Sequence, residues 1–395
     1  MPGGTDLGKA FNIAALRSLA RRRLPRPIFE FLDGGADDEE TLRRNTKGFS
    51  EFALVPSVLA GDVSNVDLST RLLGQRIDWP VILSPAGAAR LFHCDGELAV
   101  ARAAARSGTI FALSTMSNTS LEDVAVATPA PKIFQLYIFR DRSVTRELVE
   151  RCKSAGYHAL CLTVDAPLGG NRERDRANGL SMPPRLTAGS FLSFAARPRW
   201  SLDALRRLDF TIANFEGEAR RPPPGLSAVQ YVNSLFDRTV TWKDVGWLAQ
   251  IWGGPLIIKG ILSAEDALHA AHAGASAIMI SNHGGRQLDA AATPFDQIGR
   301  IRDAVGDRLS IILDGGIRRG THVLKAIARG AHACAIGRPY LFGLAAAGEA
   351  GVDHALKILR SELERDMALL GCSRIGAVGA KHIARLSAAA DALNR

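Results

Sequence analysis

A histidine, an aspartate and two arginines in this chain have the types and settings that acid–base chemistry on a small anion needs. His283 lies in the run Ser281-Asn282-His283-Gly284-Gly285-Arg286. An imidazole gains and loses a proton near neutral pH, so it can act as base or acid. Asp165 closes an apolar run and can orient such an imidazole and stabilise its protonated form. Arg172 and Arg286 each present a planar fork of N–H donors suited to a carboxylate. Lys259 closes another apolar run and can hold negative charge developing on a ring nitrogen or a carbonyl. Asp314-Gly315-Gly316 with Arg318, and Gly337 with Arg338, put bare backbone N–H groups beside positive charge, as a phosphate site requires. Taken singly, each has a plainer meaning: a structural loop histidine, solvated arginines, a tight Gly-Gly turn. Their convergence is what gives them chemical sense.

That convergence depends on the elements behind them. Eight short apolar runs occur at Val81–Leu83, Ile110–Leu113, Ile133–Leu136, Ala159–Val164, Leu256–Ile258, Ala277–Ile280, Ser310–Leu313 and Ala333–Ile336. Continuous apolar runs of this length suit strands of a parallel sheet covered by helices. Amphipathic helical patterns follow, over Gly96–Ser107, Arg142–Ala155, Ala264–Ala273 with Ser263 as N-cap, Pro294–Val305 and Gly320–Ala328. Eight such units predict a closed (β/α)8 TIM barrel, an α/β fold whose active site is built at the C-terminal ends of the strands. The residues at those ends are Pro85-Ala86-Gly87, Ser114, Gln135 and Tyr137, Thr163 and Asp165, Lys259, Ser281 and His283, Asp314, and Gly337-Arg338. Polar groups from all eight units thus meet on one rim.

Outside the repeat, residues 1–79 are expected to form a helix near Asn12–Arg22 followed by loops, packing on the barrel. The barrel itself is expected over 80–371. A long Pro-bearing insert, 183–240, lies between the fourth strand and its helix, and long connections of this kind are usually functional. Val352–Leu370 reads as a long amphipathic helix, and 372–395 as a C-terminal tail. The 395 residues carry a net charge of +9, which suits anionic ligands. No nucleic-acid signature accompanies the charge, and nucleic acid is not expected as a partner. The five Cys are odd in number and lack CxxC spacing, so neither a disulfide framework nor a metal is expected. With no secretory signal and no membrane-spanning run, the expected location is cytoplasmic.

The stretch Ser281-Asn282-His283-Gly284-Gly285-Arg286-Gln287-Leu288-Asp289 resembles the active-site signature of the FMN-dependent α-hydroxy acid dehydrogenase/oxidase family. The resemblance runs from about Leu24 to Gly371 and is most marked toward the mandelate and bacterial lactate dehydrogenases. Gln135-Leu136-Tyr137, Asn171-Arg172-Glu173-Arg174-Asp175, Lys259-Gly260 and Asp314 to Gly320 share in it. It implies FMN as cofactor and oxidation of an L-2-hydroxy acid to the 2-oxo acid. His283 then removes a substrate proton, supported by Asp165. Arg172 and Arg286 bind the substrate carboxylate, and Tyr137 hydrogen-bonds the substrate. Lys259 faces the flavin and stabilises its reduced form. Pro85, Ala86, Gly87, Ser114, Gln135, Thr163 and Ser281 line the flavin ring and ribityl chain. Asp314, Gly315, Gly316, Arg318, Gly337 and Arg338 hold its ribityl and phosphate end. Relatives of this kind are often tetramers, and the implied electron acceptor is a quinone, another oxidant or O2.

Three positions depart from, or refine, that pattern. Phe31 stands where the family usually has a carboxylate-binding Tyr, so one hydrogen bond is expected to be missing. Met116 replaces a large Trp of glycolate oxidase-like members, which implies room for a larger or aromatic substrate side chain. Gly87 replaces an Ala common in oxidase-like members and favours a dehydrogenase. The insert corresponds to a membrane-associating segment of mandelate dehydrogenases. Its Phe191, Leu192, Phe194, Trp200 and Leu202, beside Arg197, Arg199, Arg206 and Arg207, suit either an anionic membrane surface on the inner face of the membrane or a lid over the barrel mouth. A different FMN barrel enzyme and a non-catalytic flavin binder are the competing readings. The carboxylate-gripping arginines argue against the first, and the His283–Asp165 combination against the second.

Overall fold

The computed structural model describes residues 7–179, 188–207, 212–215 and 228–386. Eight parallel strands close on themselves: β1 (Val81–Leu83), β2 (Phe111–Ser114), β3 (Lys132–Leu136), β4 (Ala159–Thr163), β5 (Leu256–Ile261), β6 (Ala277–Ile280), β7 (Ser310–Asp314) and β8 (Ala333–Ile336). The expected (β/α)8 barrel is therefore the fold. Alternation sorts the side chains: Ile82, Ala112, Ile133, Cys161, Ile257, Met279 and Ile312 fill the barrel interior, whereas Val81, Leu83, Phe111, Leu113, Leu160 and Leu313 face the surrounding helices. Both faces are dry, which is why the strands read as unbroken apolar runs. A hairpin of Thr70–Leu72 and Gln75–Ile77 contributes Leu72 and Ile77 to the interior cluster. His158, just before β4, bonds Leu73 O at 2.7 Å, which sets this plug at the N-terminal end of the barrel. The opposite rim is left to chemistry.

The segment before the barrel is more helical than its sequence suggests. The helix α1 (Ile13–Arg23) is capped by the Asn12 side chain, which accepts from Ala15 N at 2.8 Å. The expected loops are instead largely the helices α2 (Arg26–Asp33) and α3 (Glu40–Lys47). Pro25 and Pro27 look like helix breakers, yet they fall at the N-cap and in the first turn of α2, where a missing N–H costs nothing. Arg17 clamps α1 to α2 by donating twice to the Asp33 carboxylate at 2.6 Å.

The C-terminal helix begins earlier than Val352. It spans Arg338–Leu370 and is broken by non-helical backbone at Ala347 and Gly348. The residues expected as a tail include Ile383–Arg385, paired antiparallel with Phe52–Leu54. The insert carries helices over Ala188–Ala195, Pro198–Arg207 and Ala228–Leu235. Pro183-Pro184, Pro222–Pro224 and the side chains of Phe191, Arg206 and Arg207 lie outside the described residues. Trp200 anchors the insert: it is buried, and its Nε1 donates to Leu91 O at 2.9 Å.

Candidate active site

The nine residues from Ser281 to Asp289 make most of the connections at the rim. The Ser281 hydroxyl donates to Asp314 Oδ2 at 2.7 Å and accepts from Lys259 Nζ at 3.1 Å. Asn282 exchanges two 2.8 Å amide bonds with Asn45 of α3. His283 adopts left-handed backbone (φ +57°), an uncommon conformation for a non-glycine residue and one that gathers at functional sites. Arg286 Nη1 donates to Phe31 O and Gly34 O at 2.7 and 3.0 Å. Gln287 accepts from Gly170 N and donates to Leu168 O, fixing the loop after β4. Asp289 accepts the backbone N–H groups of Glu40 and Thr41 and so caps α3. The string thus ties β5, β7 and the segment before the barrel into one mouth.

Charge inside this mouth alternates. His283 Nδ1 stands 2.8 Å from Asp165 Oδ1. Lys259 Nζ is 3.8 Å from Asp165 and 3.5 Å from Asp314. Burial opposes the Lys259 charge, but Asp165 and Asp314 outweigh it and hold the ammonium above its ordinary value. Burial likewise opposes the Asp165 carboxylate, yet Lys259 and His283 keep its pKa below the ordinary value. A strand irregularity follows Lys259, where Gly260 has φ +111°. A Cβ there would lie 2.6 Å from Asp165 Cβ, so only glycine lets Asp165 approach. Tyr137 stacks on Phe236 with ring centres 4.3 Å apart, and burial, then Asp165, push its phenol up to about 12.

Two positive groups face one ring. The Arg172 and Arg286 guanidiniums stand 5.7 and 5.1 Å from the centre of the Phe31 ring, within cation–π range. Arg172 also pairs with Asp175 at 3.4 Å. Burial, then Arg172 and Arg338, drive the Arg286 pKa well down. Burial and Arg338 pull Arg318 down to about 9. Arg338 is lowered by burial too, and donates to Leu32 O, Gly34 O and Gly284 O. Buried guanidiniums whose charge is disfavoured in this way call for an anion.

These groups open on a cavity of about 320 Å³, a size typical of ligand sites, which run from roughly 300 to 1,000 Å³. Its wall includes Phe31, Pro85, Ala86, Gly87, Ser114, Met116, Gln135, Tyr137, Thr163, Arg172, Lys259, His283, Arg286, Asp314, Gly315, Gly316, Arg318, Gly337 and Arg338. Asp165 and Ser281 do not line it; they reach it through His283 and Lys259. Sequence reading missed Ser84, whose hydroxyl donates to Asp314 Oδ1 at 2.5 Å, and Asp175 beside Arg172. It also missed Ile212, Phe236 and Arg238, with which the insert lines the same cavity. Ser84 directly precedes Pro85 and was within reach of the rim pattern. Nothing in local sequence marks the insert residues.

A model of the FMN-dependent dehydrogenases matches residues 20–385. The chain belongs to the FMN-dependent dehydrogenase family. Among family members it is similar to glycolate oxidase 1 of Oryza sativa subsp. indica, at 40% identity over 377 residues covering 95% of this chain and 96% of that one. L-lactate oxidase of Nostoc sp. is 42% identical over 375 residues, covering 94% and 97%. The crystal structure of the monotopic membrane protein (S)-mandelate dehydrogenase superposes with a TM-score of 0.91 at 36% identity, covering 95% and 100%.

FMN is the family's cofactor, and the cavity has the donors to hold it. Gln135 Nε2 and Thr163 Oγ1 are buried polar atoms without a hydrogen-bond partner among the described residues. Both belong to residues on the cavity wall, where a polar ring edge would satisfy them. Gly315, Gly316 and Gly337 line the cavity together with Arg318 and Arg338, the combination of bare backbone and positive charge that a phosphate requires.

Proposed function

We propose that this chain oxidises an L-2-hydroxy acid with an apolar side chain to the 2-oxo acid, His283 acting as base. The observation that carries this reading is the His283–Asp165 pair opening on a cavity that Arg172 and Arg286 enter together. Arg172 and Arg286 hold the substrate carboxylate. Tyr137, a neutral phenol at physiological pH, donates to the substrate. Asp165 occupies His283 Nδ1 and leaves Nε2 to accept the substrate proton. The Asp165 carboxylate then stabilises the imidazolium. Bound FMN supplies the two-electron acceptor that an alcohol-to-ketone change requires. Lys259, kept cationic by two carboxylates and lining the cavity, would supply a fixed positive charge to favour the reduced, anionic form of such an acceptor.

The side-chain preference rests on Phe31, Phe92, Met116, Ile212, Phe236 and Leu341, which make much of the wall apolar. The external oxidant in this reading is a quinone-type acceptor, not O2. Gly87, standing where oxidase-like members carry Ala, supports it, and packing keeps the glycine: a Cβ would lie 2.8 Å from Met116 O. Anaerobic mixing of the holoenzyme with L-2-hydroxy acids of graded side-chain size tests the proposal. Flavin bleaching is expected to be fastest with phenyl- or branched-chain substrates. No bleaching with any of them overturns the function, and peroxide formation under air at the quinone-supported rate overturns the acceptor.

The insert serves, in the same proposal, as a lid that also touches a membrane surface. Ile212 lines the cavity, while Leu192 and Leu202 are 71% and 50% exposed. No helix among the described residues is long and apolar enough to cross a membrane, so the contact is peripheral. Leu192→Ser with Leu202→Ser is expected to reduce sedimentation with anionic vesicles. Equal sedimentation would remove the membrane part and leave the lid.

A further inference from the structure

Outside the flavin cavity, one turn gathers three metal-ligating side chains in consecutive order. After β1, a 3-10 turn over Ala89–Leu91 leads through Phe92 into His93-Cys94-Asp95. Gly96 N then donates to His93 O at 2.9 Å and closes a tight turn, which brings the flanking side chains of residues 93 and 95 together. His93 Nδ1 lies 3.2 Å from Asp95 Oδ2, Cys94 Sγ 3.8 Å from His93 Nδ1, and Cys94 Sγ 3.7 Å from Asp95 Oδ1. Zinc holds nitrogen, sulfur and oxygen ligands at roughly 2.0–2.3 Å in tetrahedral array, which sets ligand–ligand edges of roughly 3.4–3.6 Å. The three contacts lie near that range; the two from Asp95 run through different carboxylate oxygens, and one ligand atom from each residue lies within 4.8 Å of the others, so a small carboxylate rotation, with release of the Asp95 N–H bond to His93 Nδ1, would complete one face of such a tetrahedron.

The geometry points to a binding site for a thiophilic divalent cation of the Zn²⁺ class at His93, Cys94 and Asp95, with water at the fourth corner. His93 and Cys94, though not Asp95, line a small cavity of about 10 Å³, room for one water-sized guest at roughly 10–15 Å³ beside the turn. The kink of the C-terminal helix backs the turn: a Cβ on Gly348 would lie 2.6 Å from Asp95 Oδ2 and 2.7 Å from His93 Cε1. That packing limits the freedom of two of the three donors. Arg23 and Arg90 line the same cavity and oppose a bare cation, and Asp203 offsets one of them. The donor set carries two negative charges once the thiol is ionised, so a divalent ion with its ligands is neutral there. Zinc-motif spacing overlooks such a site because its ligands are adjacent in sequence. The site lies on a seam: Trp200 of the insert lines the cavity, and the adjacent Phe92 lines the flavin cavity. A bound ion would brace that seam.

The test uses the purified holoenzyme after chelator treatment, with Zn²⁺ bound in competition with a chromophoric indicator and Cd²⁺ followed by thiolate–cadmium difference absorption. One equivalent of Zn²⁺ and a cadmium–thiolate band are expected. Losing an outer partner of a metal ligand already costs about 10–100-fold in affinity, so Cys94→Ser and His93→Gln should each weaken Zn²⁺ binding at least about tenfold, and Cys94→Ser should abolish the band. Unchanged flavin absorbance and melting temperature in metal-free buffer certify that the variants are folded. Absence of stoichiometric binding by the parent enzyme, or binding that both variants retain in full, overturns the proposal.

Discussion

Oδ1 of Asp165 lies 2.8 Å from Nδ1 of His283, and this pairing decides which imidazole nitrogen is left to work. Replacing the base while sparing the pocket should separate chemistry from cofactor binding. His283→Asn is expected to keep its yellow colour and to lose about 10²–10⁴-fold in the rate of flavin reduction, the usual worth of a positioned base. Stopped-flow absorbance under anaerobic conditions reads this directly. A variant reduced within tenfold of the parent rate would deprive His283 of the role.

The same aspartate makes stability depend on pH. Its folded pKa is lowered from 3.8, so the unfolded chain binds more protons over the acid range. The stabilisation is complete above the unfolded value and is lost as pH falls through the lower folded one. Removing one member of a buried ion pair costs about 3–5 kcal/mol, and Asp314, still near Lys259, keeps Asp165→Asn toward the lower end. Urea midpoints should therefore differ widely between parent and variant at pH 7 and converge only as pH falls below the ordinary aspartate value and through the lowered folded one. A gap that is constant with pH would mean that charge is not the cause.

Phe31 offers a gain-of-function test. Both guanidiniums already face its ring, so a hydroxyl added there would stand beside the carboxylate they are proposed to grip. Phe31→Tyr is expected to lower KM for small hydroxy acids by about 10- to 150-fold, from a charged hydrogen bond worth about 1.5–3 kcal/mol, with little change in kcat. Steady-state kinetics on a panel of substrates would show an unmoved KM if the hydroxyl finds no anion.

Arg172 should fail differently. It touches Phe31 and Asp175 and carries no structural hydrogen bond to the carbonyls that Arg286 holds. Arg172→Met is expected to raise KM at least tenfold while the melting temperature stays within a few degrees. Arg286→Met should lower both affinity and melting temperature, because Phe31 O loses its donor and Gly34 O keeps only the one from Arg338.

Gly87 can be examined through packing. An added methyl would meet Met116 Cβ and Met116 O at 2.8 Å, and overpacking of this kind costs about 1–3 kcal/mol. Gly87→Ala should melt several degrees lower than the parent in a calorimetric scan. An unchanged melting temperature would show that the Met116 turn yields freely.

The barrel was legible because its strands are dry on both faces: Val81–Leu83 and Ala277–Ile280 need no periodicity to be recognised. The rim residues followed from their place at strand ends, as with Lys259 and Asp314. Helix α2 was hidden by Pro25 and Pro27, whose meaning depends on where a helix starts. Ile212 and Arg238 were hidden because the path of a long connection is set by docking, here by Trp200 on Leu91 O, and not by local pattern. The stacking of Arg172 and Arg286 on Phe31 joins three distant stretches, and the absent hydroxyl alone gave no hint of it.

Arg286 and Arg338 rest on the carbonyls of Phe31, Leu32 and Gly34, which belong to a strap that precedes the first barrel strand. Portability is therefore limited: transplanting the eight strands and their loops to another scaffold would carry the cations without their seats. A redesign of this mouth has to move the strap together with the barrel loops.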